Sequence, residues 1–93
     1  MTSGVARSAR AYWAPYSVSK AALEALARTY ANETSDSAIK VNLIDPGATA
    51  TRMRAEAYPG EDQATLRTPG EVAERFVALA MADWMETGQI VEA

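Results

Sequence analysis

The sequence predicts an α/β fold, a helix followed by a strand, a loop, a second helix and a second strand. Three observations predict it. Tyr16–Asn32 is rich in alanine and leucine and free of glycine and proline. Ile39–Ile44 is a short β-rich run that stops at Asp45-Pro46-Gly47. Thr68-Pro69-Gly70-Glu71 then opens another helical stretch. A strand–helix–strand unit with an apolar first strand implies a parallel pair joined by a right-handed crossover.

Taken in order, Met1–Ala14 is small and polar, with Ser3, Gly4 and Ser8, and reads as loop. Pro15 stands where a helix can begin, because proline is tolerated in a first turn. Leu23, Leu26 and Tyr30 recur at i, i+3 and i+7, a helical face. Glu24 and Arg28, at i, i+4, are placed to pair on the outside. Thr34–Ser37 is a polar break, and Ile39–Ile44 reads as a buried strand feeding the Asp-Pro-Gly turn. Ala48–Thr68 has no clean period and reads as an excursion with one short helix at Arg52–Ala57. Thr68 is placed as an N-cap, with Pro69 at N1 and Glu71 at the capping-box spacing. The helix from Pro69 to about Asp83 puts Val72, Phe76, Leu79 and Ala80 on one face. Trp84 and Met85, at its end, read as core or subunit contact. Thr87-Gly88 closes a turn, and Gln89–Val91 forms a last short strand.

Composition bounds the function. A chain of 93 residues holds at most one domain. Nine basic against twelve acidic side chains leave a charge of −3, which offers no footprint for nucleic acid. The only basic bias is Arg7 and Arg10, which have no acid before Glu24 and do not make a patch. With no cysteine and no histidine, disulfides, thiolate nucleophiles, the usual zinc sites and imidazole catalysis are excluded. No apolar run reaches the roughly 18 residues of a membrane helix, so the expectation is a soluble cytoplasmic protein with no membrane partner.

One pair carries chemistry. Tyr16 and Lys20 are four residues apart on the first helix, so both side chains share a face. A phenol is a poor acid–base catalyst at neutral pH. An ammonium a few ångströms away favours the phenolate, and the pair can then exchange a proton with a carbonyl or alcohol oxygen. A hydroxyl nearby would hold that oxygen. Taken alone, the same spacing also describes a surface tyrosine and a solvated lysine.

The surrounding sequence gives the pair a context. Ser3-Gly4 lies upstream of Tyr16-Ser-Val-Ser-Lys20-Ala-Ala-Leu23. Val41-Asn-Leu-Ile-Asp-Pro-Gly47 follows with Thr51 and Met53, then Pro69-Gly-Glu-Val-Ala73 and Thr87-Gly-Gln-Ile90. In this order the chain resembles the C-terminal half of the short-chain dehydrogenase/reductase family, from Ser3 to Val91. The resemblance implies an NAD(P)-dependent oxidoreductase that interconverts a carbonyl and an alcohol by hydride transfer. It implies that Ser3 holds the substrate oxygen, that Tyr16 is the acid–base group, and that Lys20 tunes Tyr16 and binds the nicotinamide ribose. Pro46 and Gly47 would pack against the nicotinamide. Thr49 would face its carboxamide through the backbone, and Thr51 would contact the carboxamide or phosphates, or cap a helix. Arg52–Leu66 matches the variable substrate segment. Tyr12 and Trp13 read as packing, and Arg52 and Arg54 as a solvated face.

The same resemblance implies a part. Residues 1–93 would be the C-terminal segment of a Rossmann-like, doubly wound parallel sheet: active-site helix, strand six, substrate loop, helix and strand seven. As a stand-alone domain that is incomplete. The chain has neither Gly-x-x-x-Gly-x-Gly nor Gly-x-Gly-x-x-Gly, the turns that cradle dinucleotide phosphates. NAD or NADP is implied by the family, without the residue that chooses between them. Exposed apolar surface is expected, and with it a homo-oligomer or pairing with another chain. The alternative function is a truncated, inactive fragment that acts at most as an interaction module.

Overall fold

The computed structural model describes residues 1–93. A short helix, α1 (Val5–Ser8), precedes the long helix α2 (Ala14–Glu33). Strand β1 (Leu43–Asp45) leads to α3 (Arg52–Ala57) and a 3-10 turn at Gln63–Thr65. Helix α4 (Pro69–Ala80) and strand β2 (Ile90–Glu92) complete the chain. β1 and β2 pair in parallel, Leu43 against Ile90 and Asp45 against Glu92. On its other side β1 receives the N-terminal segment, whose Thr2 N–H donates to the Ile44 carbonyl at 2.7 Å. β1 is therefore bonded to β2 on one side and to the N-terminal segment on the other. The whole is α/β, with a small two-stranded parallel sheet.

Local chemistry accounts for the ends. Thr68 Oγ1 accepts the Glu71 N–H at 3.2 Å and Pro69 opens α4, as its capping signature predicts. α3 occupies the predicted residues. Five details differ. Val5–Ser8, read as loop, forms one helical turn closed by Ala9 in the left-handed region, φ 51°. β1 is shorter than Ile39–Ile44, because β2 pairs with only its last residues and Ile39 lies exposed before the ladder. β2 begins one residue later than predicted. α4 stops at Ala80, where Met81 turns extended at ψ 146°. Trp84 and Met85 thus lie beyond the helix; Trp84 is half-buried and Met85 is exposed.

The fifth difference is the buried face of α2. Leu26 and Tyr30 are exposed, at 66% and 45%. The inward stripe is instead Tyr16, Lys20, Glu24, Ala27 and Ala31, with Glu24 and Ala31 fully buried. Small residues allow close approach here: a Cβ on Gly88, at φ 73°, would stand 3.6 Å from the Ala31 Cβ. Glu24, predicted to face outward with Arg28, lies under the N-terminal segment. Periodicity gives the helix its stripes, but it does not say which stripe the rest of the chain covers.

Burial is sparse. Six of 93 residues are buried, and the apolar ones are Ala31, Leu43, Ile44 and Val72. The radius of gyration is 14.8 Å, against about 12 Å for a compact chain of this length. Val18, Leu26, Phe76, Val77 and Met81 lie open on α2, on α4 and just past it. Apolar surface of this extent drives association. Sedimentation of the purified chain is expected to show concentration-dependent assembly; a monomer with a sharp unfolding transition would contradict it. No helix is long and apolar enough to cross a membrane.

Candidate active site

The turn after β1 is built by its own residues. Asp45 Oδ1 accepts the Gly47 N–H at 3.1 Å, and Gly47 sits at φ 70°, a region that disfavours side chains. Thr49 Oγ1 donates to the Gly47 carbonyl at 3.3 Å. Ala50 N–H donates to the Arg67 carbonyl, which ties the start of the excursion to its end. Thr51 caps α3 by accepting the Arg54 N–H at 3.2 Å.

α2 begins beside this turn. Pro15 occupies its first turn, and Tyr16 and Lys20 follow on one face. The Lys20 ammonium lies 5.6 Å from the centroid of the Tyr16 ring and donates to the Met1 carbonyl at 3.3 Å. Tyr16 meets Trp13 edge to face at 5.9 Å. Ser3 Oγ makes only a long contact with the Val5 N–H, at 3.5 Å.

These elements enclose a cleft of about 950 Å³. Ser3, Tyr16, Pro46, Gly47, Thr49 and Thr51 all line it. Lys20 does not; it stands behind Tyr16 against the Met1 backbone. Met53 and Ala57 from α3 and Val72 and Phe76 from α4 supply apolar walls. The volume is in the range of small-molecule sites, which are apolar with a few convergent polar groups.

Two clusters escaped the sequence reading. The first surrounds Glu24. Its carboxylate accepts from Thr2 Oγ1 at 2.6 Å, from Arg7 Nη1, and from Arg28 Nη2 at 3.3 Å. Arg7 Nη2 also donates to Asp45 Oδ2 at 2.9 Å. One network thus joins the N-terminal segment, α2 and the β1 turn. A signal for it existed: Glu24 is one turn beyond Lys20 on the face that Tyr16 already turns toward the site, where a carboxylate needs cations.

The second cluster is at the cleft mouth. Trp13, read as packing, lines the cleft, whereas Tyr12 beside it is fully exposed at φ 69°. Tyr58 lies 6.1 Å from Trp13, and the Arg54 guanidinium covers the Tyr58 ring at 3.8 Å. Arg54, read as a solvated side chain, grips Glu61 with two hydrogen bonds of 2.8 and 2.9 Å. Arg52 pairs with Glu56 along an exposed face of α3, as read.

The hydrogen bonds from Arg54 hold the Glu61 carboxyl below its ordinary value of 4.5. A depressed folded-state value means that this anchor is complete above the ordinary carboxylate range and fails as pH falls through the lower one. Acid titration followed at the Arg54 Nε–H by NMR is expected to show release only below 4.5, and no such step in Glu61→Gln.

Comparison with known proteins adds context. The short chain dehydrogenase family model matches residues 1–62. An oxidoreductase of Escherichia coli K12, YciK, described as uncharacterized, is 40% identical over 78 residues, which cover 84% of this chain and 31% of that protein. Carbonyl reductase family member 4 of Danio rerio is 37% identical over 84 residues, 82% of this chain and 34% of its own length. A crystal structure of an Escherichia coli short chain dehydrogenase complexed with NADPH superimposes with a TM-score of 0.89 at 36% identity, covering 98% of this chain and 38% of that one. The chain spans about a third of the length of these relatives.

Proposed function

The chain belongs to the short-chain dehydrogenase family, and from that premise we propose that it serves an NAD(P)-dependent oxidoreductase that interconverts a carbonyl and an alcohol. The observation that carries the proposal is the cleft, which Ser3 and Tyr16 line together with residues of the Pro46–Thr51 turn. The relative solved with NADPH and the carbonyl reductase of Danio rerio support the same chemistry.

In reduction, Ser3 donates a hydrogen bond to the substrate carbonyl and Tyr16 gives its phenolic proton to that oxygen. In oxidation, Tyr16 takes the proton back. The Lys20 ammonium, 5.6 Å from the Tyr16 ring centroid, would favour the phenolate that proton donation leaves, and it would reach the nicotinamide ribose only after leaving the Met1 carbonyl. Pro46 and Gly47 would hold the nicotinamide, the Thr49 backbone its carboxamide, and Thr51, which caps α3, the carboxamide or phosphates. The cleft fits this end of the cofactor: it is large enough, and a Cβ on Gly47 would meet nothing within 4 Å, so the turn leaves open space. When bound, the nicotinamide supplies or accepts the hydride. The side chains of α3 and α4 would offer the substrate an apolar surface, of which Val72 is the buried part. The small-molecule substrate and the pairing of chains through the open α2 and α4 faces are parts of the same proposal. The family match favours this reading over that of an inactive interaction module.

Fluorescence titration with NADPH and NADH tests it. Saturable binding is expected, and no binding at millimolar cofactor would remove the reading for the chain by itself.

A further inference from the structure

Three charged side chains line the cleft, and two of them are neutralised. Asp45 is paired with Arg7, and Arg54 with Glu61. The third, Arg10, takes part in none of the chain's ion pairs. It is nonetheless held in place. Its guanidinium lies 5.4 Å from the Trp13 ring centroid and 5.6 Å from that of Tyr58, and its Nη1 donates to Tyr58 Oη at 2.5 Å. Stacking on aromatic faces and a bond to a neutral phenol fix the side chain without spending its charge. A guanidinium has five N–H donors, and one bond leaves most of them free.

The position matters as much as the charge. Arg10 stacks on Trp13, and Trp13 meets Tyr16 edge to face. The unspent cation therefore stands one aromatic ring away from the proton-transfer tyrosine. Met53, Ala57, Val72 and Phe76 line the same cleft with aliphatic and aromatic side chains. A cleft with apolar walls, a proton donor at one point and a single preorganised guanidinium at another selects an amphiphile.

We propose that Arg10 is the specificity residue of this cleft, and that the substrate is an apolar carbonyl compound or alcohol carrying one anionic group, a carboxylate or a phosphate. Planar bidentate pairing with either anion is what an arginine does better than a lysine. The inference rests on the oxidoreductase reading only for the carbonyl or alcohol end of the molecule.

Equilibrium dialysis of the full chain against three probes tests it: para-methylbenzyl alcohol, para-carboxybenzyl alcohol and para-(hydroxymethyl)phenyl phosphate. Both anionic probes are expected to bind about tenfold more tightly than the neutral one, the scale of a charge-assisted hydrogen bond. The stronger of the two identifies the anion. Arg10→Met should bring both down to the neutral level, and Arg10→Lys should keep part of the preference. Arg10 is exposed, so neither variant threatens folding. Equal binding of all three probes, no binding of any, or a preference that survives in Arg10→Met would overturn the proposal. Because the readout is binding, an Arg10-dependent preference in a chain that transfers no hydride would keep this inference and sink the oxidoreductase reading. Turnover without the preference would do the reverse.

Discussion

Glu24→Ala is expected to lower stability by about 2–3 kcal/mol. Removing one partner from a buried ion pair costs about 3–5 kcal/mol, because the other charge stays behind uncompensated. The figure here is reduced, since Arg7 and Arg28 are 40% and 54% exposed and water can reach them. It is not reduced to a surface value, because Glu24 is 5% exposed and the Thr2 hydroxyl, on a residue 2% exposed, loses its acceptor. The loss extends to the site. Arg7 would keep only Asp45, the residue whose other oxygen fixes Gly47. Urea denaturation of both proteins measures the effect, and Glu24→Gln, which still accepts hydrogen bonds, should fall between them. An unchanged midpoint in the alanine variant would show that the network does not hold the N-terminal segment to α2.

Tyr16→Phe is expected to reduce NADPH-dependent carbonyl reduction by a factor of about 10²–10⁴, the usual contribution of a positioned acid–base group. The substitution deletes one oxygen and keeps the ring, so the edge-to-face contact with Trp13 survives and stability should hold within about 0.5 kcal/mol. That separation makes the test sharp. A fall in kcat with unaltered denaturation and cofactor binding assigns the proton to Tyr16; a retained rate refutes the role. Tyr30→Phe is the matched control, since it removes a phenol from an exposed position of the same helix outside the cleft.

Much of this was legible in the residues because it depends on neighbours in the chain. Tyr16 and Lys20 share a face because a helical turn requires it, Thr68 caps α4 through a residue three positions on, and Asp45 closes its own turn. Which stripe of α2 the chain covers is not legible in the residues, for a related reason. Leu23, Leu26 and Tyr30 form as good a period as Tyr16, Lys20, Glu24, Ala27 and Ala31, and hydrophobicity alone prefers the first set. The covered face carries an ion network and small side chains, and neither has a period of its own.

The contacts that give the cleft its character span long stretches of chain. Arg7 and Asp45 are 38 positions apart, and Arg10 and Tyr58 are 48 apart. Within a helical turn of Arg10 only Trp13, three residues on, marks it as more than a solvated arginine. Only the arrival of α3 beside the start of α2 brings Tyr58 to it, and only the pairing of Asp45 and Arg54 elsewhere leaves its charge unspent. Residue order was enough for the α/β class and for the spacing of Tyr16 and Lys20, since those follow from backbone geometry over a few residues, and the family followed from the resemblance of motifs along the chain. Which carboxylate is buried, which cation is free and which walls close the cleft were decided by how the elements pack, because side-chain electrostatics depend on distance in space.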